Sequence, residues 1–176
     1  MNSTDLMHGH HRRPSDRCRN WLVQEKFDGV RALWDGSKLV SREGIDFCAP
    51  DWFLAGLPAG VPLDCELFHS RSGGHCAVDS VIKSANGWES LSLVIFDAPA
   101  TAGNYTTRHA SIPATGNKFH WVAPFWQLET IASLRVQLKA LWSNGGEGFM
   151  LRCPKASYSA GRSRKLIKFK KLSDTL

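Results

Sequence analysis

Apolar and polar positions alternate along much of this chain with a period of two, and that period places its strands. Trp21 to Phe27 reads as one strand, and Val30, Ala32 and Trp34 alternate with Arg31 and Leu33 in a second. Asp35-Gly36 is a two-residue hairpin signal, so Lys38 to Ser41 returns as the partner strand and ends at Arg42-Glu43-Gly44. In Leu63 to Phe68, Asp64 and Glu66 share one face while Leu63, Cys65 and Leu67 share the other. Leu91 to Phe96 is a nearly unbroken apolar run and predicts a buried strand that ends in Asp97 and Pro99. Glu147 to Arg152 opens another strand. In Leu166 to Lys170, Lys168 and Lys170 face one way, Ile167 and Phe169 the other.

Two stretches carry the helical period instead. Val78, Val81, Ile82 and Ala85 fall on one face, with Asn86-Gly87 as the stop. Ile131, Leu134, Leu138, Leu141 and Trp142 mark an amphipathic helix closed by Asn144-Gly145. The Pro-punctuated segment through Pro62 offers Trp52 and Phe53 as core anchors. Ser70 to His75 reads as a Gly/Ser loop, and residues 98–120 as surface loops with one short helix. Residues 1–20 read as a flexible basic arm holding Arg12, Arg13, Arg17 and Arg19. Its His8, His10 and His11 are read as part of a solvated tail, not a metal site. The set of elements is α+β, and no internal repeat is visible.

Composition narrows the class. A chain of 176 residues fits one domain, and 43% hydrophobic content with seven Trp and nine Phe suffices for a core. A formal net charge of +6 favours a polyanionic partner. The five cysteines are odd in number and lack the spacing of a zinc knuckle or redox motif, so free thiols in a reducing compartment are expected. The polar N-terminus has no apolar signal core, and no stretch is long enough to span a membrane. A cytoplasmic protein without a membrane partner is the expectation.

Four separate strands present ionic groups on one face with apolar groups behind: Lys26/Asp28, Asp64/Glu66, Glu147 and Lys168/Lys170. Together they predict a sheet or pair of sheets lining a charged cleft. Carboxylates and lysines in one cleft fit a metal–polyphosphate site, because oxygen ligands suit Mg²⁺ and cations suit phosphate.

At these residues the chain resembles the covalent nucleotidyltransferase superfamily of ATP-dependent DNA ligases, RNA ligases and mRNA capping enzymes. The signature Lys-x-Asp-Gly-x-Arg stands as Lys26 to Arg31, and Ser-Arg-x-Gly as Ser41 to Gly44. Asp-Gly-Glu-Leu stands as Asp64 to Leu67, with Cys65 in place of the usual glycine. Phe96-Asp97, Glu147 to Arg152 and Lys168-Phe169-Lys170 complete six motifs in the family's order over residues 21–171. Glu25 to Ala32 with Trp34-Asp35-Gly36, Pro62 to Leu67, and Tyr158 followed by Gly161-Arg162-Ser163 most resemble the small bacterial ATP-dependent DNA ligases.

The resemblance implies an adenylation domain: antiparallel sheets flanked by helices around a central nucleotide cleft. It implies that Lys26 attacks the α-phosphorus of ATP and carries AMP, which passes to the 5′-phosphate of nicked duplex DNA. Lys168 and Lys170 would hold the α-phosphate and Phe96 would stack on adenine. Gln24 or Glu25 would read the adenine edge, and Arg31 and Arg42 would contact ribose and phosphate. Glu66 and Glu147 would hold Mg²⁺ (or Mn²⁺), with Asp28 supporting Lys26 or the metal, and Glu66 would also border the nucleotide. Arg162, Arg164 and Lys165 read as a DNA-gripping loop at the mouth of the cleft. Only 25 residues precede Lys26, too few for a nicotinamide-recognising domain, so ATP is expected rather than NAD. Six residues follow Lys170, so no C-terminal oligonucleotide-binding barrel is expected in this monomer: either it is a free-standing adenylation domain, or a partner supplies that function, or the gene is shortened. An RNA ligase or capping guanylyltransferase, and a non-catalytic nick-binding remnant, stand as alternatives.

Overall fold

The structure, a computed structural model, describes residues 6–170. Its strands are β1 (Met7–His11), β2 (Leu22–Lys26), β3 (Val30–Trp34), β4 (Leu39–Ser41), β5 (Leu63–Phe68), β6 (Ser92–Asp97), β7 (His120–Val122), β8 (Trp126–Gln127), β9 (Gly148–Arg152) and β10 (Gly161–Lys170). Its helices are α1 (Asp51–Leu54), α2 (Gly74–Ser84), α3 (Tyr105–Ala110) and α4 (Ile131–Ser143). The strands form two five-stranded sheets, ordered β1-β10-β9-β2-β8 and β4-β3-β5-β6-β7. Pairing is antiparallel except for β1 with β10 and β6 with β7.

Each sheet buries one face under its own helix. Leu63, Cys65 and Leu67 of β5 join Ala32, Trp34, Leu93 and Ile95 in a core that takes in Val78 and Val81 of α2. Val23, Phe149, Leu151 and Ile167 of the first sheet pack with Leu134, Leu138 and Leu141 of α4. Cys65 therefore fills a core position, where burial raises its thiol well above the ordinary value. The period-two pattern then sends the alternate residues of both sheets into a shared cleft.

Lys26 ends β2 in the first sheet and Val30 opens β3 in the second, so Phe27-Asp28-Gly29 is the crossing between sheets. Gly29 makes the crossing feasible. A Cβ there would overlap the Leu67 carbonyl oxygen and the Glu66 side chain. Asp28 therefore leaves the strand and does not share a face with Lys26 as the alternation suggested. Its carboxylate is half-exposed, 3.7 Å from His75 Nδ1.

The N-terminal segment differs most from the sequence reading. Residues 7–11 are not a flexible arm but an edge strand, pairing in parallel with Gly161 to Lys168. Leu6 is fully buried against Leu33 and Val40, and Cys18 is buried in the core beneath α4. Backbone pairing and apolar burial together offset the entropy of ordering the segment. The same pairing makes residues 161–165 the start of β10, not a loop. Register slips where Gly9–His10 matches Ser163–Ile167, leaving Arg164 and Lys165 exposed on a bulge.

Smaller differences have local causes. Phe53 is buried as expected, but Trp52 is 45% exposed because it caps the Phe53–Phe119 aromatic contact from outside. The short helix expected within 98–120 is α3, capped by Asn104 Oδ1 accepting from Thr107 N at 3.0 Å. All five cysteines are free.

Candidate functional site

Three neighbouring strands set the heart of the cleft. Lys26 of β2 lies opposite Gly148 of β9, and Gly148 lies opposite Lys170 of β10, so two lysines flank one glycine. A Cβ on Gly148 would overlap the Phe169 carbonyl oxygen, so the central position must stay bare. Glu147 enters this row directly from the end of α4. Gly145 N donates to Trp142 O, Gly146 N to Leu141 O, and Trp142 Nε1 to the Glu147 carbonyl at 3.1 Å. Its carboxylate accepts from Lys26 Nζ through Oε2 and from Lys170 Nζ through Oε1 at 2.9 Å. Burial pushes the Glu147 carboxyl up, but bonds from the two lysines and their charges outweigh it and hold the group below its ordinary range. Burial, with Lys26, Arg31 and Lys170, depresses the Lys168 ammonium, Glu147 opposing.

The second sheet supplies the facing wall. Arg31 makes a bidentate bond to Asp64, Nε and Nη2 each 2.6 Å from a carboxylate oxygen. Burial opposes the Arg31 charge, and Asp64 more than restores it, so the guanidinium titrates above its ordinary value. Tyr158 Oη donates to Asp64 Oδ2 at 2.7 Å and accepts from Met7 N at 3.0 Å, while Arg31 Nη2 donates to Met7 O at 3.1 Å. The arginine's Cζ also sits 5.0 Å from the Phe96 ring centroid. Arg42 is exposed beside Glu43 and still lines the cavity.

A third group closes the inner end. Gln24, 2% exposed, donates from Nε2 to the Ala123 carbonyl at 3.1 Å and to Tyr105 Oη at 3.2 Å. Ala123 O can only accept, so the Gln24 amine must face it, and Oε1 is the group's acceptor. Tyr105 Oη donates onward to Phe96 O at 3.1 Å, and burial pushes this phenol up to about 12. Arg152 stands over Phe96 and Tyr105, at 5.4 and 4.7 Å from their centroids. Its Nε is buried without a partner. Its Nη1 lies 3.5 Å from Asp97, a buried carboxylate held by Arg108.

These groups enclose a cavity of about 140 Å³ lined by His8, Gln24, Glu25, Lys26, Phe27, Arg31, Arg42, Glu66, Phe96, Met150, Arg152 and Lys168. Gln24, Glu25, Lys26, Arg31, Arg42, Glu66, Phe96 and Lys168 are thus brought together, with Glu147 and Lys170 joined to Lys26. The Glu25 carboxylate is engaged by Arg71, at 2.9 and 2.7 Å. Asp28 lines an adjoining cavity instead, shared with Glu66, Arg31, Arg42 and His75. Arg162, Arg164 and Lys165 are exposed and line neither cavity. Met150 and Arg152 escaped the sequence reading of the site, although period two opposite buried Phe149 and Leu151 places them on the cleft face. His8 escaped it because Leu6 to His11 does not alternate.

Glu66 is half-buried in this company. Burial raises its carboxyl to about 7, with Asp64 and Glu147 adding and Arg31 and Lys26 opposing. In an unfolded chain the group titrates near about 4.3. The folded state then holds the extra proton between those values, so its contribution to stability is full below the lower value and lost as pH rises through the upper one. Glu66→Gln, neutral at every pH, is therefore expected to raise the thermal midpoint of the ligand-free protein at pH 8 and to change it little at pH 4.5. Thermal melts across that range check this; an equal shift at both ends would refute it.

The two sheets and the cleft between them have the ligase-type nucleotidyltransferase fold. No family model matches the chain. It is 31% identical to a DNA ligase of Haemophilus influenzae over 94% of its own length, and spans 62% of that relative. It superposes on a Lig E DNA ligase structure with TM-score 0.83 at 29% identity, covering 95% of this chain and 68% of that one. A Chlorella virus DNA ligase-adenylate shares the fold at TM-score 0.75 and 19% identity, covering 95% and 67%. Over most of its length the chain is thus similar to DNA ligases, and it spans about three fifths of the curated relative it matches.

Proposed function

We propose that this chain carries the adenylation step of an ATP-dependent DNA ligase, with Lys26 as nucleophile. The observation that supports it best is the convergence of Lys26, Lys168 and Lys170 with Glu147 and Glu66 on a recess that ends in Gln24 and Phe96. Lys26 Nζ attacks the α-phosphorus of ATP. The ammonium first releases one proton to solvent; the N–P bond then forms as the bond from phosphorus to pyrophosphate breaks, and the nitrogen releases a second proton to solvent, keeping one as a neutral N–H phosphoramidate. An ion-paired ammonium has no lone pair to give, so the Lys26–Glu147 pair must open first. Phosphate oxygens compete for Lys170 and Lys168, whose positive charge meets the charge that builds on the phosphoryl group.

At the inner end, the free Gln24 Oε1 accepts a hydrogen bond from an exocyclic amine. That suits adenine and opposes the O6 acceptor of guanine. Phe96 offers its ring to the base, and Arg152 borders the same recess. Arg31, locked by Asp64, and Arg42 border the ribose. The donor set also fits a hard divalent cation, since Mg²⁺ takes one or two carboxylates and completes its shell with substrate phosphates and water. Glu147 and Glu66 would hold Mg²⁺ (or Mn²⁺), which supplies charge neutralisation on the triphosphate. Among the described residues there is no cluster of three or more ligating side chains. Asp28 faces His75 and is the weaker candidate.

AMP then passes to the 5′-phosphate of a nick in duplex DNA, and the exposed Arg162, Arg164 and Lys165 contact its backbone. Incubating the full chain with ATP or GTP in Mg²⁺ and weighing it by mass spectrometry tests the reading. An AMP adduct with ATP and none with GTP is expected. A GMP adduct would favour a capping-type enzyme, and nicked-DNA binding with no adduct would favour a non-catalytic remnant.

A further inference from the structure

Of the three histidines near the N-terminus, one enters the cleft. His8 pairs in register with Arg162 of β10 and lines the same cavity as Lys26, Arg31, Arg42 and Lys168. Its strand is fixed there by the network that fixes the facing wall: Met7 N to Tyr158, Arg31 to Met7 O, and Leu6 buried against Leu33 and Val40. The His8 ring itself makes no hydrogen bond among the described residues. Arg31 of β3, Lys168 of β10, Arg42 after β4 and Asp64 of β5 act on it most. Glu25 and Lys26 of β2, Glu66 of β5 and Arg152 of β9 line the same space.

We propose that His8 is a further phosphate-contacting residue of the cleft, donating an imidazole N–H to the nucleotide phosphate and taking up a proton from solvent as that anion enters. This deepens the reading of the cleft as a nucleotide site and rests on it. An imidazole without a partner, set among three cations, lacks only an anion. In the ligand-free cleft, burial and then Arg31, Lys168 and Arg42 hold its proton affinity below the ordinary value, with Asp64 opposing. A phosphate beside those cations cancels their field and offers an acceptor, so the imidazolium form is favoured once it binds. By reciprocity, protonation of His8 strengthens phosphate binding by the factor that phosphate strengthens protonation.

Calorimetric titration of the full chain and of His8→Gln with AMP and with adenosine, from pH 8 to pH 6, tests this. Glutamine keeps an N–H donor and cannot take the proton. Glu66 and the AMP phosphate titrate in the same range, but both are present in wild type and variant, so the difference between the two proteins belongs to His8. Near-equal AMP affinities at pH 8 are expected, with wild type about tenfold tighter at pH 6, the order of one charge-assisted hydrogen bond. Adenosine should show no pH-dependent difference. Superimposed AMP curves, or a difference that adenosine shares, overturn the proposal. Imidazole NMR of wild type gives a check free of any folding defect: the His8 midpoint should rise when AMP is added, and an unmoved midpoint overturns it as well. If ATP still yields the lysyl adduct, such a failure falls on His8 alone. No adduct and no AMP binding would bring down the nucleotide reading with it.

Discussion

Lys26→Ala is expected to abolish the covalent AMP adduct while leaving the protein folded. The side chain contributes to the cleft through one ion pair at the end of β2, and its loss leaves Glu147 still bonded to Lys170. Stability should therefore move by no more than about 1–2 kcal/mol. The chemistry has no such reserve, because removing the attacking nitrogen removes the bond that is made. The structure also names the rival. Lys168 lines the same cavity, and its ammonium is depressed by burial and by three neighbouring cations. Mass spectrometry of Lys26→Ala and Lys168→Ala after incubation with ATP and Mg²⁺ separates them. An adduct surviving in Lys26→Ala and lost in Lys168→Ala would transfer the nucleophile to β10.

Arg108→Met is expected to cost about 3–5 kcal/mol, the largest stability effect of any single change near the cleft. Arg108 is 1% exposed and Asp97 0% exposed. Arg108 Nε and Nη2 lie 2.8 and 3.1 Å from the two carboxylate oxygens, and Nη1 donates to the carbonyls of Gly103 and Ala156 at 3.0 Å each. Removing the arginine leaves a buried carboxylate with only Arg152 at 3.5 Å and the Ala98 N–H at 2.9 Å. The thermal midpoint should fall on the order of 10 °C. The double change Asp97→Asn with Arg108→Met should cost less than the sum of the single changes, because no bare charge then remains. Urea unfolding of the four proteins measures this. Additive costs would show that the pair is not coupled.

The cleft is only partly legible in the linear chain. Lys168 and Lys170 opposite Ile167 and Phe169, or Asp64 and Glu66 opposite Cys65, declare their faces because one side must meet a core. The buried ion pair declares nothing: Arg108 sits in a Gly/Thr/Pro-rich segment without period, and only the fold shows that α3 carries it to Asp97. His8 is silent for a related reason. Strand β1 is short, runs at a sheet edge and is held by hydrogen bonds to β10 from the far end of the chain. Asp28 misled, because the alternation that governs β2 stops at Lys26.

By itself the sequence determined the local elements, the apolar face of each sheet and the order of the motifs around Lys26. Those are set by side-chain period and residue chemistry, which are local. Only the tertiary structure decided which groups meet: that Glu147 bridges Lys26 and Lys170, that the Gln24 amine meets the Ala123 carbonyl, and that the first strand brings His8 into the cleft. Each depends on residues between 23 and 151 positions apart. Such distances are closed by strand pairing within the first sheet and by its packing against the second, and no periodicity within a strand encodes them.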